Sequence, residues 1–295
     1  MRLLLTLAAS MAMHASAHAL CLPAGMSRVQ LLELRSAKWE VSEHARRQAL
    51  AMNMLDCLSE ADPVLRDEAG FEALQTWMRA AALDASTLQA LRAALLERLQ
   101  ALDANGFAQP FAALVLAEVV RADRIKPFMT DAERAALLKS ATAWLTAVRD
   151  YRGFDDKEGW RHGVAHGADL MLQLAVHPAL DKAGHQAILA AIAAQLAAPS
   201  AQAVPHFYRY GEGERLMAPV FYLARRSGLD GADWQSWFAQ LAPPAAAAAN
   251  QASLAHRHNL KSFLLPLYLN LAESKDADQR ARVLPFVTKA LRQLD

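Results

Sequence analysis

Apolar positions recur along this chain every three to four residues, almost from end to end. This is the period of an amphipathic α-helix, and Ala, Leu, Glu, Gln and Arg are abundant whereas β-branched residues are sparse. The pattern predicts an all-α protein of about twelve helices. The helices are expected near residues 28–38, 43–60, 64–82, 87–102, 109–122, 131–150, 160–176, 183–197, 212–227, 232–242, 251–273 and 277–293.

The connections between these helices are short and contain residues that begin or end helices. The run from Thr130 to Glu133 is a capping box, and Pro178 follows the central helix. Short connections place consecutive helices antiparallel. Because no motif recurs at a fixed period, we expect an irregular stack of antiparallel helical hairpins, either HEAT-like or a curved double layer of helices.

The N-terminal segment has the layout of a secretory signal peptide. A positively charged start precedes a short apolar run that ends in Ala17-His18-Ala19, an A-x-A cleavage site. We expect residues 1–19 to be removed and residues 20–295 to form one all-α domain in the periplasm or outside the cell. The apolar run is too short to span a membrane, and no later run is long enough. No transmembrane segment is therefore expected after cleavage.

The two cysteines, Cys21 and Cys57, permit one disulfide bond in an exported protein. Such a bond would attach the new N-terminus to an early helix. The alternative is a buried Cys57 with a free Cys21. Neither cysteine is expected to be catalytic.

Charge excludes one class of partner. The chain has 31 Lys and Arg residues against 30 Asp and Glu residues. Binding a nucleic-acid backbone requires a broad positive field, so nucleic acid is not an expected partner. The composition does not indicate an oligomeric state.

Side chains capable of chemistry concentrate in the central predicted helix. At about 100° per residue, His162, His166, Asp169 and Gln173 share one narrow face. This face has no Lys or Glu, the residues that usually cover a solvated helix face. We therefore expect it to line a cleft or to form a buried polar network.

One interpretation of this face is a metal site. Two histidines four residues apart can ligate one divalent ion such as zinc, and Asp169 could add an oxygen ligand. The spacing is a weaker signal than an HExxH helix, because no Glu stands beside His162. Further ligands would come from other segments: His256, His258, Glu212 or Glu214.

Two other interpretations need no metal. His162, His166 and Asp169 could form an internal hydrogen-bond network with Arg152 or Arg215, since buried polar groups require partners. Alternatively, one histidine paired with Asp169 could act as a general base. No nucleophile elbow, phosphate loop or dinucleotide-binding glycine pattern is present to favour a reaction class.

Two longer connections are candidates for binding loops or for covering flaps. They span residues 150–158 and 199–213, and the second is rich in aromatic residues. We expect residues of these connections, of the central helix and of two later predicted helices to contact a ligand. These are Arg152, Trp160, Tyr208, Tyr210, Glu214, Arg215 and Asn259.

Several sequence blocks carry a family resemblance. They are DYRG at 150–153, GWRHGVAHGAD at 159–169, GERL at 213–216 and NLKSFL at 259–264. They resemble the signature blocks of a bacterial family, domain of unknown function 2785, over about residues 40–290. The resemblance implies a helical fold and a site at these blocks, and it implies no reaction. The chain departs from the family pattern at Gln109, where the family usually has Arg.

A shorter likeness concerns architecture. The run from Gly163 to Gly167 resembles the Gly-x-Ala-His-Gly element of lanthionine-forming cyclases, which are closed double layers of helices with a zinc site. The chain lacks the Cys and Cys-His zinc ligands of those enzymes.

The sequence thus favours an exported helical protein whose polar groove binds a small polar ligand or a fragment of an envelope polymer. One alternative is a hydrolase at the same site, either metal-dependent or using a His-Asp base. The other alternative is a protein-interaction scaffold in which the histidine network is structural. The residue pattern does not decide whether the protein is an enzyme.

Overall fold

A computed structural model describes residues 21–197, 204–225, 228–242 and 250–294. The predicted signal peptide lies outside these ranges. The described residues are predominantly helical, so the all-α prediction is confirmed. The helices are α1 (Arg28–Ser36), α2 (His44–Cys57), α3 (Glu72–Arg79), α4 (Ala85–Gln100), α5 (Ala108–Ile125), α6 (Asp131–Ala147), α7 (Gly163–Ala175), α8 (Lys182–Leu196), α9 (Glu212–Leu223), α10 (Gly231–Leu241), α11 (Gln251–Ala272) and α12 (Ala277–Arg292).

The helices pack in two layers. The odd-numbered helices from α3 to α11 contact one another in chain order, and the even-numbered helices from α2 to α12 do the same. Consecutive helices such as α4 and α5, or α6 and α7, connect the two layers. This is the stack of hairpins that the short connections predict, and it places α7 in the middle of the odd-numbered layer.

The apolar core is densest around α5. From Phe111 to Val120 every residue except Leu114 is buried, and the run includes one carboxylate, Glu118. Among the described helices, none has both the length and the apolar character needed to cross a lipid bilayer.

Two predicted elements are wrong in detail. The helix expected at 64–82 begins as a π-helical segment, Val64–Phe71, before it continues as α3. The helix expected from residue 160 begins only at Gly163, because residues 154–155 and 159–160 pair as the short strands β1 (Phe154–Asp155) and β2 (Gly159–Trp160). Helical periodicity cannot reveal a hairpin that is held by contacts distant in sequence.

A disulfide bond joins Cys21 to Cys57, with the Cα atoms 4.8 Å apart. This is the pairing that the cysteine count favoured, and the alternative of a free Cys21 does not apply. Cys57 is fully buried at the end of α2, and it lies against Gly70 of the π-helical segment. The bond therefore ties the first described residues to the helices beneath them.

Candidate functional site

A hairpin formed by residues 152–162 leads into α7. At its turn, the Asp155 carboxylate accepts hydrogen bonds from the main-chain N–H groups of Lys157 and Glu158, each at 2.9 Å. Gly159 has φ +70, a conformation that favours glycine. The main-chain N–H of His162 donates to the Arg152 carbonyl at 3.1 Å. These local bonds close the hairpin and fix where α7 begins.

A buried arginine anchors this hairpin to the N-terminal helices. Arg66 is fully buried, and its Nη2 donates to the Glu158 carbonyl oxygen at 2.8 Å. Its guanidinium also forms two 3.1 Å hydrogen bonds with Asp67 and lies 4.2 Å from the Phe107 ring centroid. Arg161 of the hairpin lies over the same ring at 4.1 Å. The hairpin is thus held by the cation–π contact of Arg161 with Phe107 and by the hydrogen bond that the Arg66 side chain donates to the Glu158 carbonyl.

His162 is not within α7 but is its N-cap residue, in the left-handed conformation with φ 56 and ψ 38. Strained backbone of this kind at a non-glycine residue is found preferentially at functional sites. Its Nε2 lies 3.1 Å from the Tyr210 carbonyl oxygen and 3.9 Å from Glu212 Oε1. A carbonyl oxygen only accepts hydrogen bonds, so Nε2 carries a proton. Burial lowers the pKa of His162 more than Glu212 raises it, so the ring is neutral at pH 7.

Three partly exposed aromatic rings, Phe154, Trp160 and Tyr210, lie together next to His162, and we call them the aromatic cluster. The Trp160 ring stacks on His162 with centroids 4.6 Å apart and an interplanar angle of 20°. Phe154 and Tyr210 flank Trp160 at 5.0 Å and 5.6 Å. The three side chains are 45%, 36% and 41% exposed, respectively. The hairpin therefore presents a contiguous aromatic surface to solvent.

This aromatic surface requires a glycine beneath it. The Tyr210 ring packs directly on Gly153, where an added Cβ would overlap the ring atoms. The Tyr210 main-chain N–H also donates to Glu212 Oε2 at 2.9 Å. Tyr210 is therefore fixed from both the hairpin and the start of α9.

His166 lies one turn into α7 and is buried. Its ring meets Phe111 edge-on with centroids 5.0 Å apart, and the His162 ring lies 5.7 Å away. Burial lowers the pKa of His166 to about 3, so this ring is also neutral at pH 7. Its Nδ1 atom has no hydrogen-bond partner among the described residues.

Asp169 is the charged member of the α7 face. Its Oδ1 accepts a hydrogen bond from Arg215 Nη1 of α9 at 2.6 Å, and the two side chains are 19% and 54% exposed. Burial raises the pKa of Asp169 more than Arg215 lowers it. Gln173, one turn further on, accepts a hydrogen bond from Arg124 at 3.3 Å.

A second carboxylate lies on α5 beside this face. Glu118 accepts hydrogen bonds from Arg79 Nε at 3.1 Å and from Arg79 Nη2 at 2.5 Å. Its charge also contributes to the raised pKa of Asp169. Three polar pairs thus run across the odd-numbered layer, and we call them the polar band. They are Arg79–Glu118, Asp169–Arg215 and Arg124–Gln173.

Only some of the residues expected to contact a ligand gather here. Trp160 and Tyr210 form part of the aromatic cluster, and Arg215 reaches Asp169. Glu214 is exposed, and Glu212 rather than Glu214 approaches His162.

Three others have different roles. Arg152 pairs with Asp150 at 2.6 Å. Tyr208 is buried and donates to the Gln195 carbonyl at 2.8 Å. Asn259 is buried and bonds the main chain of residues 206 and 208. Tyr208 and Asn259 therefore position a loop from buried sites, whereas Arg152 positions its own connection through Asp150 and stays about half exposed.

The metal interpretation finds no ligand set in the described ranges, where no three His, Cys, Asp or Glu side chains are arranged to hold one ion. Asp169 is bonded to Arg215, and His258 Nε2 lies 2.9 Å from the Tyr208 carbonyl instead. Among these residues neither His162 nor His166 forms a hydrogen bond with Asp169, so the expected pairing of one of these histidines with Asp169 is not formed in this arrangement.

Sequence reasoning missed Phe154, Glu118 and Arg66. Glu118 had a readable signal, because it is a lone carboxylate in an apolar helical run. No sequence signal marked Arg66 as part of the site, because the Glu158 carbonyl that it binds lies far along the chain.

The raised pKa of Asp169 gives a test of what its charge does to stability. A carboxylate whose pKa is higher in the folded protein than in the unfolded chain destabilises the fold when ionised. At pH 7 we expect Asp169→Asn to equal or exceed the wild type in free energy of unfolding, by up to about 1 kcal/mol. Below about pH 4 the Asp169 carboxyl is protonated and is as uncharged as the asparagine that replaces it. The free energies of unfolding of the two proteins should therefore converge. Urea denaturation at both pH values measures this, and a clear loss of stability at pH 7 would contradict it.

Comparison with known proteins agrees with the blocks around this site. A family model described as protein of unknown function, DUF2785, matches residues 95–269. The match covers more than half of the chain, including α5, α7 and α9, although it is shorter than the span of about 40–290 expected from the blocks. No curated protein and no solved structure was found to match the chain. The chain therefore belongs to the DUF2785 family of proteins of unknown function.

Proposed function

We propose that the protein binds a small polar ligand at the aromatic cluster and the adjoining polar band, and that the ligand is an oligosaccharide fragment of an envelope polymer. The observation that carries this proposal is the aromatic cluster itself, in which Trp160 stacks on a buried, neutral His162 and is flanked by the partly exposed rings of Phe154 and Tyr210. Exposed apolar surface grouped in this way is typical of a binding site.

The chemistry of a sugar matches both parts of this surface. A sugar ring has a flat C–H face that can lie on an indole or phenol ring, and its hydroxyl groups can both donate and accept hydrogen bonds. Asp169 and Arg215 offer one charged acceptor and several donors beside the cluster, and charge-assisted hydrogen bonds are the stronger kind. Because Arg215 is about half exposed, it can replace its hydrogen bond to Asp169 with one to a ligand at little cost in free energy.

Location supports the same proposal. Cleavage after Ala19 would release the protein outside the cytoplasm, where envelope polymers are found. The Cys21–Cys57 disulfide supports an oxidising compartment. Hydrolysis at the same site receives less support, because Asp169 is paired with arginine and not with histidine.

The test is a titration of the protein with neutral trimers of N-acetylglucosamine, glucose and galactose, followed by tryptophan fluorescence. We expect one of the three to bind, and Trp160→Ala to weaken that binding at least about tenfold, because aromatic side chains dominate such contacts. Tyr268→Ala is the matched control, since Tyr268 is 40% exposed on α11 and outside the cluster. Equal loss in both variants, or no binding of any trimer, would contradict the proposal. Chromatography of the bound trimer after incubation would report hydrolysis separately.

A further inference from the structure

A cleft separate from the aromatic cluster lies in the even-numbered layer. Its volume is about 750 Å³, and it opens between α4, α6 and the connection that precedes α5. This volume suits a small molecule. Along α6 it is lined at helical spacing by Ala136, Ala143, Trp144 and Ala147. Because three of these side chains are alanines, the wall leaves an open apolar channel beside the indole ring of Trp144.

The acidic groups of the cleft are already engaged. Asp103 accepts hydrogen bonds from the main-chain N–H groups of Gly106 at 2.9 Å and Gln109 at 2.8 Å. Asp150 is held by Arg152, with 2.6 Å between Oδ2 and Nη2. Neither carboxylate therefore needs a ligand cation.

The cationic groups of the cleft are not paired with acids. Lys139 is exposed, and its side-chain ammonium group forms no hydrogen bond or ion pair with any described residue. Arg149 donates to the main-chain carbonyls of Thr146 and Val148 at 2.9 Å and 2.6 Å, and no described carboxylate pairs with it. Lys139 lies within α6, and Arg149 lies just beyond the end of that helix at Ala147. The cleft thus has a largely apolar α6 wall, which includes Ser140, with one cation on this wall and a second just beyond the end of the helix.

We propose that this cleft binds a linear organic carboxylate, with the alkyl chain along the alanines and Trp144 and the carboxylate at Lys139 or Arg149. Burial of the chain supplies non-directional affinity, and the two cations select an anion over a neutral molecule of the same length. This site differs from the proposed oligosaccharide site in both location and ligand chemistry.

Isothermal titration calorimetry with octanoate tests the proposal, with octan-1-ol as the neutral probe. We expect octanoate to bind more tightly than octanol. The double variant Lys139→Gln/Arg149→Gln should weaken octanoate binding roughly tenfold. Ala143→Phe should abolish binding of both probes by filling the channel. Lys126→Gln is the matched charge control, because Lys126 is exposed and outside the cleft, and it should change nothing.

The fold of each variant is checked by circular dichroism, and the substituted residues are exposed, so folding should be retained. Ala143→Phe should also leave oligosaccharide binding unchanged. The proposal would be overturned if octanoate did not bind the wild type. It would also be overturned if octanoate bound Ala143→Phe and the double variant as tightly as the wild type. Equal affinity for octanol and octanoate would overturn the assignment of an anion.

Discussion

Arg66→Ala is expected to lower the free energy of unfolding by about 3–5 kcal/mol, since it removes a fully buried guanidinium that pairs with the partly buried Asp67 and also bonds buried main-chain carbonyls. Arg66 is fully buried, and its guanidinium bonds the Asp67 carboxylate and the main-chain carbonyls of Glu60 and Glu158. Alanine would leave all three acceptors without this donor and would remove the contact with Phe107. The hairpin would also lose its anchor to the N-terminal helices.

Equilibrium denaturation of Arg66→Ala measures this effect. Arg98→Ala is the control, because Arg98 also pairs with an aspartate, at 2.6 Å, but that partner, Asp56, is 73% exposed. A surface pair of this kind contributes no more than about 1 kcal/mol. Similar losses in the two variants would contradict the anchoring role of Arg66.

Asp123→Ala is the second substitution with a large expected effect, again about 3–5 kcal/mol. The Asp123 side chain is fully buried and connects the ends of α5 and α7 with the start of α6. Its oxygens accept from the N–H groups of Phe128 and Met129 at 2.7 Å each, from Arg134 Nε at 2.7 Å and from His177 Nε2 at 3.1 Å. Alanine would leave these donors unsatisfied.

The pH dependence of this effect has a definite sign. Burial by itself would raise the pKa of Asp123, but the hydrogen bonds from Arg134, Met129 and Phe128 outweigh it and leave the pKa lowered. A carboxyl whose pKa is lowered by folding contributes stability above its unfolded pKa of about 4, and loses it as the pH falls through the folded value.

The difference in free energy of unfolding between wild type and Asp123→Ala should therefore not shrink between pH 7 and about pH 4, because Asp123 stays ionised there. Burial lowers the pKa of His177, and the Asp123 charge opposes that lowering over the same range. The difference should shrink below about pH 4, as Asp123 itself is protonated. Thermal or urea denaturation over this range measures it. Asp131→Ala is the control, because Asp131 binds the same Arg134 at 2.6 Å yet is 97% exposed, and it should cost less than about 1 kcal/mol at every pH. A difference that shrinks steadily between pH 7 and about pH 4, where Asp123 stays ionised, would contradict the account.

Local sequence signals predicted most of the fold. The helical period placed α4, α6, α11 and α12 within a few residues of their observed ends, and the capping box at Thr130 marks the start of α6. Periodicity did not predict the π-helical segment or the hairpin. The hairpin depends on the contact of Arg66 with Glu158, 92 residues apart in sequence. A stretch of ten to twenty residues, over which helical periodicity is read, never includes both partners of such a contact.

The candidate site was predicted only in part, for a related reason. Periodicity correctly brought Asp169 and Gln173 onto one face of α7, where their partners come from α9 and α5. It placed His162 on the same helix, but the hairpin makes His162 the N-cap residue. Tyr208 and Asn259 have the side chains of ligand contacts, yet both are buried by main-chain bonds that sequence does not reveal. Residue type indicates chemical capability, and only packing determines exposure.

The central claim is that a ligand docks on the aromatic cluster that the hairpin holds above His162. The most direct test follows the indole N–H signals of the six tryptophans by NMR while the bound trimer is added, with the Trp160 signal assigned from Trp160→Phe. We predict that the Trp160 signal shifts saturably and that the buried Trp77 and Trp234 signals stay in place, since these rings are no more than 2% exposed. Saturable binding that leaves the Trp160 signal unmoved would contradict the claim.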